Sequence, residues 1–481
     1  MNRRMVLQIV CIIMRMEAVV MLPPLIIALV NGEYAAAKGF AIAMAALMAA
    51  SCVTYLAKPL EKDFYAREGF LIVALAWIVV SLFGAIPFYV SGAIPNVVDS
   101  IFEMVSGFTT TGATLLPDIE AIPRSLLYWR SFSHWLGGMG VMVFALAIIP
   151  LAKNTGHSMH ILRAESPGPE VTKLVPRMHD YARYLYIMYI SLTLIQFVFL
   201  TLGGMPLLDS ITVAFSTAGT GGFSILNDSM ASYSVYLQNV ITVFMLLFGV
   251  NFSVFYLLIM REFTKILKNQ ELWLYLGIIG AAIVAISINI AHLFASVAEA
   301  VQHSAFQVVS VITSTGFSTV DYNLWPQFSR TILVILMVVG ACAGSTGGGI
   351  KVARVLLLGK AFARDLKRML NPRSVTLVKM NGSVVEDGTI RATQSFLAAY
   401  AFVALISVIL VSLNNFSVET TFTSVLACLN NIGPGLDIIG PLGNYSSFSP
   451  LSKMILAADM LIGRLEIYPM LMLFAPSTWK K

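Results

Sequence analysis

Four short stretches of the chain carry residue types suited to cation chemistry. They are Thr109-Thr110-Thr111-Gly112-Ala113, Thr220-Gly221-Gly222-Phe223-Ser224, Thr313-Ser314-Thr315-Gly316-Phe317 and Asn431-Ile432-Gly433-Pro434-Gly435. Aligned on Gly112, Gly222, Gly316 and Gly433, they recur at spacings of 110, 94 and 117 residues. Each follows an apolar run too short to cross a bilayer and precedes one long enough to do so. Irregular backbone at membrane depth is tolerated only where it is buried in protein or lines a water-filled cavity. Carbonyls arranged in a ring can replace the water shell of a permeating cation, and glycine permits the positive φ that turns carbonyls toward an axis. A single such glycine is equally an ordinary tight turn. Four in register predict a filter, with Thr110, Thr111, Gly112, Thr220, Gly221, Gly222, Ser314, Thr315, Gly316, Asn431, Ile432 and Gly433 as its cation-binding residues.

Two further features bear on such a pore. Gly344-Ser345-Thr346-Gly347-Gly348-Gly349-Ile350-Lys351 interrupts an apolar run. It is not a phosphate loop: Ile350 separates the last glycine from Lys351, Val352 follows in place of Ser or Thr, and no strand precedes it. Glycines this dense weaken a helix, by about 1 kcal/mol each against alanine, so the stretch is expected to break one at mid-membrane. It then either stands in the ion path as a gate or is a kink without that role. Arg464 lies in another apolar run, where an arginine must face protein or water. It is expected near the inner pore, as a positive barrier or in an ion pair; neither Asp459 nor Glu466 shares its helical face. His134 and Asn251 sit in apolar runs and read as pore residues or as interhelical hydrogen-bonding groups. No paired carboxylates, no nucleophile–base arrangement and no metal-ligand spacing of the four cysteines stand out, so the chain is not expected to be an enzyme.

The 481 residues are 58% hydrophobic and only 12% charged, against about 25% charged in a soluble domain. Mean hydropathy is +0.81. This is the composition of a polytopic membrane protein. The net charge of +6 is not a nucleic-acid signature, because the basic residues lie between apolar runs rather than on one face.

The elements that must position the four stretches follow from hydropathy. Residues 5–30, interrupted by Pro23-Pro24, and residues 35–57 form a hairpin with no filter-like loop after it. A unit of spanning helix, short helix, loop and returning helix then occurs four times. The spanning segments are 69–90, 184–202, 272–294 and 394–413. The short helices are 99–108, 209–217, 299–312 and 419–429. The returning segments are 126–151, 235–260, 331–358 and 451–473. The fold class is an all-α membrane protein of about ten spans, with four tandem helix–pore-loop–helix units around one pore. Its divisions are a hairpin at 1–66 and units at 67–152, 153–262, 263–372 and 373–481. Asp99-Ser100, Asp209-Ser210 and Glu419-Thr420 begin three short helices, as caps or partners of the helix dipole; His303 stands where the third would carry Asp. Basic residues collect on one side (Arg3, Arg4, Lys58, Lys62, Arg67, Lys153, Arg163, Arg261, Lys265, Lys351 to Arg373, Lys480 and Lys481), which places both termini in the cytoplasm and the loops outside. The cluster at Arg364, Lys367, Arg368 and Arg373 either reflects this topology alone or adds a docking face for lipid headgroups or an acidic partner.

With these residues in view, the chain resembles the TrkH/TrkG/KtrB superfamily of potassium transporters. The resemblance rests on Thr-Thr-Thr-Gly-Ala in the first loop, Gly-Gly-Phe-Ser in the second and Asn-Ile-Gly-Pro-Gly in the fourth. It extends to the Gly344–Lys351 stretch, similar to the family's intramembrane gating loop, and to Met460-Leu461-Ile462-Gly463-Arg464-Leu465-Glu466, similar to its last helix with a pore-facing arginine. The N-terminal hairpin is similar to the TrkH and TrkG type. The resemblance implies potassium as the transported ion, no organic cofactor, and gating by Gly344, Ser345, Thr346, Gly347, Gly348, Gly349, Lys351 and Arg464. It also implies a homodimer, a cytosolic TrkA-like RCK nucleotide-binding ring, and a prokaryotic cytoplasmic membrane. Two departures bear on selectivity: Ala218-Gly219 precedes Thr220 where a more hydroxylated stretch is expected, and no loop keeps a Gly-Tyr-Gly ending.

Overall fold

The computed structural model describes residues 3–52, 66–148, 178–374 and 376–479. Helices Arg3–Val20 and Leu22–Val30 follow one another directly, because Pro23 and Pro24 fall in the first turn of the second, where a missing N–H costs little. Tyr34–Ser51 returns beside them and is tied back by the Arg15 guanidinium, which donates to the Ser51 carbonyl (3.1 Å).

Four helix sets follow, each with a short helix pointing into the bundle. In the first, Ala66–Gly84 and Ile86–Ser91 lead to the pore helix Val97–Phe108, and Arg124–Ile148 returns. In the second, Met178–Leu202 leads to pore helix Leu207–Gly219, and Val235–Phe248 returns. In the third, Gln270–Ile290 leads to Val297–Ile312, and Gln327–Val339 returns. In the fourth, Asp387–Val411 leads to Val418–Leu429, and Pro450–Arg464 returns. Three of the four pore helices start with a side-chain cap: Asn96 accepts from the Val98 N–H, Ser296 from Glu299 and Ser417 from Thr420, while the second starts after Pro206 without one. The acids Asp99, Asp209, Glu299 and Glu419 are therefore first-turn charges rather than caps. Asp99 also takes the buried Lys453 ammonium (2.9 Å) and Glu419 the Arg330 guanidinium (3.0 Å), so helix starts in one set are pinned to returning helices of another.

The returning helices differ from continuous spans. The expected 235–260 rod is two helices, Val235–Phe248 and Phe252–Ile259, bent by 90°. Asn251 caps the second by accepting from the Ser253 N–H (2.9 Å), which assigns it to the break. The third breaks between Val339 and Val352, and the fourth ends at Arg464 before Tyr468–Phe474. Among the described residues, six helices are long and apolar enough to cross a membrane, or seven counting the bent pair as one. The ten-span reading also counts returning segments that are interrupted or carry buried polar groups such as Arg130 and His134. The junction drawn at residues 152 and 153 lies outside the described residues. So do Lys58, Lys62, Lys153, Arg163, His157, His160, Lys480 and Lys481.

Candidate functional site

Every pore helix ends in one geometry. The Thr110 N–H donates to the Gly107 carbonyl (3.1 Å) and the Thr111 N–H to the Ser106 carbonyl (2.9 Å). The same pair recurs as Thr220 to Thr217 (3.0 Å) with Gly221 to Ser216 (2.9 Å), and as Ser314 to Val311 (3.1 Å) with Thr315 to Ser310 (2.8 Å). It recurs again as Asn431 to Cys428 (3.2 Å) with Ile432 to Ala427 (2.9 Å). This is the paired bond of a Schellman helix end, which needs one left-handed residue. That residue is Thr110 (φ 54°), Thr220 (54°), Ser314 (57°) or Asn431 (55°). Glycine normally fills the position; a side chain there costs about 1–2 kcal/mol. The glycine comes two residues later instead, again at positive φ: 77° at Gly112, 75° at Gly222, 82° at Gly316 and 90° at Gly433.

The reason for that placement is how the loops meet. A Cβ on Gly112 would overlap the carbonyl oxygen of Gly221, and one on Gly222 that of Thr315. A Cβ on Gly316 would overlap the Ile432 carbonyl oxygen, and one on Gly433 would lie 2.7 Å from the Thr111 oxygen. Each glycine thus backs onto the carbonyl preceding the next unit's glycine, and the fourth unit closes on the first. The four glycines share the floor of one cavity of about 760 Å³ of empty space, open portions included, walled by residues such as Ala113, Phe223, Pro434 and Tyr445. Hydrogen bonds brace the ring. The Asn431 amide donates to Thr111 Oγ1 (2.9 Å), and the hydroxyl of Tyr445 donates to the Gly433 carbonyl (2.8 Å). The Thr109 and Thr111 hydroxyls lie 2.8 Å apart, as do those of Thr313 and Thr315.

Residues 340–351 fold as a compact loop against the inner side of this ring. The loop closes on its own stem, with the Ile350 N–H donating to Val338 (3.1 Å) and the Lys351 N–H to Val339 (2.9 Å). Its tip meets the third and fourth loops of the ring. The Gly348 N–H donates to Ser314 Oγ (2.7 Å), a Cβ on Gly348 would overlap the Asn430 carbonyl oxygen, and one on Gly347 would stand 3.0 Å from the Thr313 oxygen. Toward the second unit, the Cys342 N–H donates to the Gly249 carbonyl (3.1 Å) and the Phe252 N–H to the Gly344 carbonyl (3.1 Å), filling the bend there. Arg464 spans the remaining side: its guanidinium donates to the carbonyls of Thr346 (2.9 Å) and Gly137 (2.8 Å).

A sequence model described as "TrkH: Cation transport protein" matches residues 36–481. This chain belongs to the TrkH family. It is 35% identical over 489 residues to the Trk system potassium uptake protein TrkH of Salmonella typhimurium, with both chains covered in full. It is 32% identical to the Escherichia coli Trk system potassium uptake protein TrkG, covering 96% of this chain and 95% of that one. The crystal structure of the potassium transporter TrkH from Vibrio parahaemolyticus superposes with a TM-score of 0.88 at 32% identity, covering all of both chains. The TrkH-family chain is accordingly a multi-pass membrane protein of a cation transport family.

Within this TrkH-family fold, the twelve residues singled out around the four glycines all come to the ring. Gly344, Ser345, Thr346, Gly347, Gly348 and Gly349 form the loop beneath it, and Arg464 reaches that loop. Lys351 is placed differently from the expectation that it opens a cytoplasmic basic segment. It is 8% exposed, at φ 79°, and its ammonium pairs with Glu466 (3.0 Å), which also takes the Arg354 guanidinium. Asp459 accepts from the Ser407 hydroxyl (2.7 Å), away from Arg464. His134 stacks on Phe223 at 4.2 Å between centroids, and a Cβ on Gly221 would collide with its ring, so it backs the second filter loop.

Sequence reasoning missed a buried ion pair behind the ring. Glu103, in the first pore helix, takes the Arg130 guanidinium (2.8 Å), the Thr114 hydroxyl (2.9 Å) and the Leu115 N–H (2.9 Å). Arg130 in turn donates to the Ser224 carbonyl (3.3 Å) and lies 4.0 Å over the Phe223 ring. The pair ties the first loop of the ring to the second. An acid one turn beyond Asp99 in an apolar helix was the available signal.

Proposed function

We propose that this chain is the ion-translocating, channel-like subunit of a Trk potassium uptake system. The observation that carries the reading is the cyclic contact of Gly112, Gly222, Gly316 and Gly433 with the carbonyls of Gly221, Thr315, Ile432 and Thr111. Four backbones held this close leave a passage lined by peptide oxygens, which suit a cation that sheds water at moderate cost. The negative ends of four pore helices converge on the same place and favour positive charge there. Potassium is the transported ion, as the names of the TrkH and TrkG relatives suggest, and on this reading it binds at the twelve residues around the ring. The chain carries no enzymatic step and needs no organic cofactor.

The loop from Gly344 to Gly349 is the gate, because it packs from inside against Thr313, Ser314 and Asn430. Arg464 holds it across the passage and adds a positive barrier. Lys351 acts from the stem, through Glu466. The protein works as a homodimer in a prokaryotic cytoplasmic membrane with both termini inside, and a TrkA-like RCK nucleotide-binding ring drives the gate. The exposed cluster around Lys367 and Arg368 offers that ring, or lipid headgroups, a basic face. Rubidium uptake in a cell lacking its own potassium uptake systems is the decisive test. Expression should restore growth at low potassium and saturable rubidium entry, and failure of both in well-inserted protein overturns the proposal.

A further inference from the structure

We infer that Glu466 is a positioning residue that holds the loop from Gly344 to Gly349 shut against backbone strain; the inference rests on reading that loop as the gate. The helix Pro450–Arg464 closes just past its last residue. The Glu466 N–H donates to the Gly463 carbonyl (3.1 Å) and the Ile467 N–H to the Ile462 carbonyl (2.8 Å). Glu466 therefore fills the left-handed place that glycine usually takes, at φ 52°. Ile467 follows at φ 71° and ψ −59°, and the Tyr468 N–H donates back to the Glu466 carbonyl (2.8 Å). This is a γ-turn of the rare, strained hand, and a β-branched residue is a genuine outlier in it. Opposite, Lys351 stands at φ 79° and ψ 136°, beside a region that is essentially glycine's alone. Three residues with side chains in left-handed backbone thus meet at one junction.

One carboxylate holds the junction together. Glu466 takes the Lys351 ammonium on Oε1 (3.0 Å) and the Arg354 guanidinium on Oε2. All three residues are buried, so their attraction is little screened. Arg354 is fixed further: it donates to the Ile350 carbonyl (3.1 Å) and lies 4.1 Å over the Phe396 ring. Ile350, Phe396, Leu429 and Ile467 pack as one apolar cluster at the same place. Leu429 ends the fourth pore helix, so the cluster reaches the ring from behind. Lys351 closes one end of the loop through its bond to Val339, and Glu466 lies two residues beyond Arg464, which grips Thr346. Strained backbone persists only where its surroundings over-determine it. Without the carboxylate, Lys351, Glu466 and Ile467 relax toward ordinary backbone, and the loop stem and the Arg464 helix end loosen together. The shut gate is the strained state, and the ion cluster is what keeps it populated.

Rubidium flux through the full chain in liposomes tests the assignment. Glu466→Gln leaves two buried cations without their carboxylate and should raise flux about tenfold or more, with potassium-over-sodium preference unchanged. Lys351→Ala removes one of the two ion pairs but keeps a Cβ at φ 79°. It should raise flux a few-fold. Lys351→Gly removes the same ion pair and the strain as well, and should conduct several-fold less than Lys351→Ala. A general loosening of the stem predicts the reverse order, because glycine is the more flexible residue. The two Lys351 variants differ by one Cβ, and they carry the test if Glu466→Gln inserts poorly. Lys351→Gly conducting as fast as Lys351→Ala, or faster, overturns the assignment. Deletion of Ser345 to Gly348 separates it from the gate itself. If the deletion raises flux while Glu466→Gln and Lys351→Ala run at the parental rate, the role of Glu466 falls and the gate stands. If the deletion conducts no faster than the parent, the gate falls and the role of Glu466 with it.

Discussion

The backbone N–H of Gly348 donates to the side-chain oxygen of Ser314 across 2.7 Å, joining the loop at residues 340–351 to the loop after the third pore helix. Ser314→Ala removes the acceptor and leaves that N–H facing a methyl group. An orphaned buried donor costs about 1–3 kcal/mol, so the packed position of the loop should be less populated. Rubidium flux into liposomes should rise several-fold with potassium-over-sodium preference unchanged. A parental rate in normally inserted protein would separate this bond from gating.

Arg464 bridges Thr346 and Gly137 with two donors on one rigid guanidinium. Arg464→Ala should raise flux modestly, and deletion of Ser345 to Gly348 should raise it more and weaken its dependence on a nucleotide-binding partner. Arg464→Lys should fall between, because a single ammonium lacks the planar fork. A deletion variant that keeps its selectivity and conducts no faster than the parent would show the loop to be a kink alone.

Gly316 sits at φ 82° with its missing Cβ directed at the Ile432 carbonyl oxygen. Gly316→Ser adds backbone strain of about 1–2 kcal/mol and displaces that oxygen. Discrimination of potassium over sodium should fall in liposome flux while membrane insertion survives. Unchanged relative permeability would remove Gly316 from the filter.

Breaking the buried Glu103–Arg130 pair from one side should be far worse than losing both charges. Arg130→Met leaves an uncompensated carboxylate, a defect of about 3–5 kcal/mol, and should sharply lower the melting temperature in detergent. Glu103→Gln with Arg130→Met should recover part of that loss, giving a non-additive cycle. Simple additivity would mean that the two side chains act separately.

On an exposed loop, hydrogen bonds from Ser417 (2.5 Å) and Thr420 (2.6 Å) hold the Asp437 carboxyl below the usual 3.8. A lowered folded value means that the ionised group contributes stability above its unfolded value. That contribution is lost as pH falls through the folded one. Asp437→Asn should therefore flatten the loss of thermal stability on acidification below about pH 4. A variant with the parent's acid profile would exclude this contact as a source.

What was legible in the chain was what backbone geometry demands of residue type. Gly112, Gly222, Gly316 and Gly433 announced themselves because no other residue fits a positive φ against a neighbour's oxygen. The left-handed residues two places earlier did not, since Thr110 and Thr220 are β-branched and disfavour that conformation in isolation; tertiary contacts impose it. Glu103 and Arg130, 27 residues apart on different helices, gave no local sign of pairing. The bend before Phe252 was hidden because residues on both sides are equally apolar, and only Asn251 marked it. Lys351 looked like the first residue of a basic run; its partner Glu466 lies 115 residues away.

The ring is closed by four sequences that are not copies of one another. A homotetramer built from one such unit would have to present the same hydroxyl and the same loop at every quarter turn. Four fingers would then compete for one axis. Joining the units in a single chain breaks that symmetry. The third stretch alone can offer Ser314 to Gly348, the fourth alone can reach across with Asn431, and a single finger can serve a passage whose walls have fourfold character.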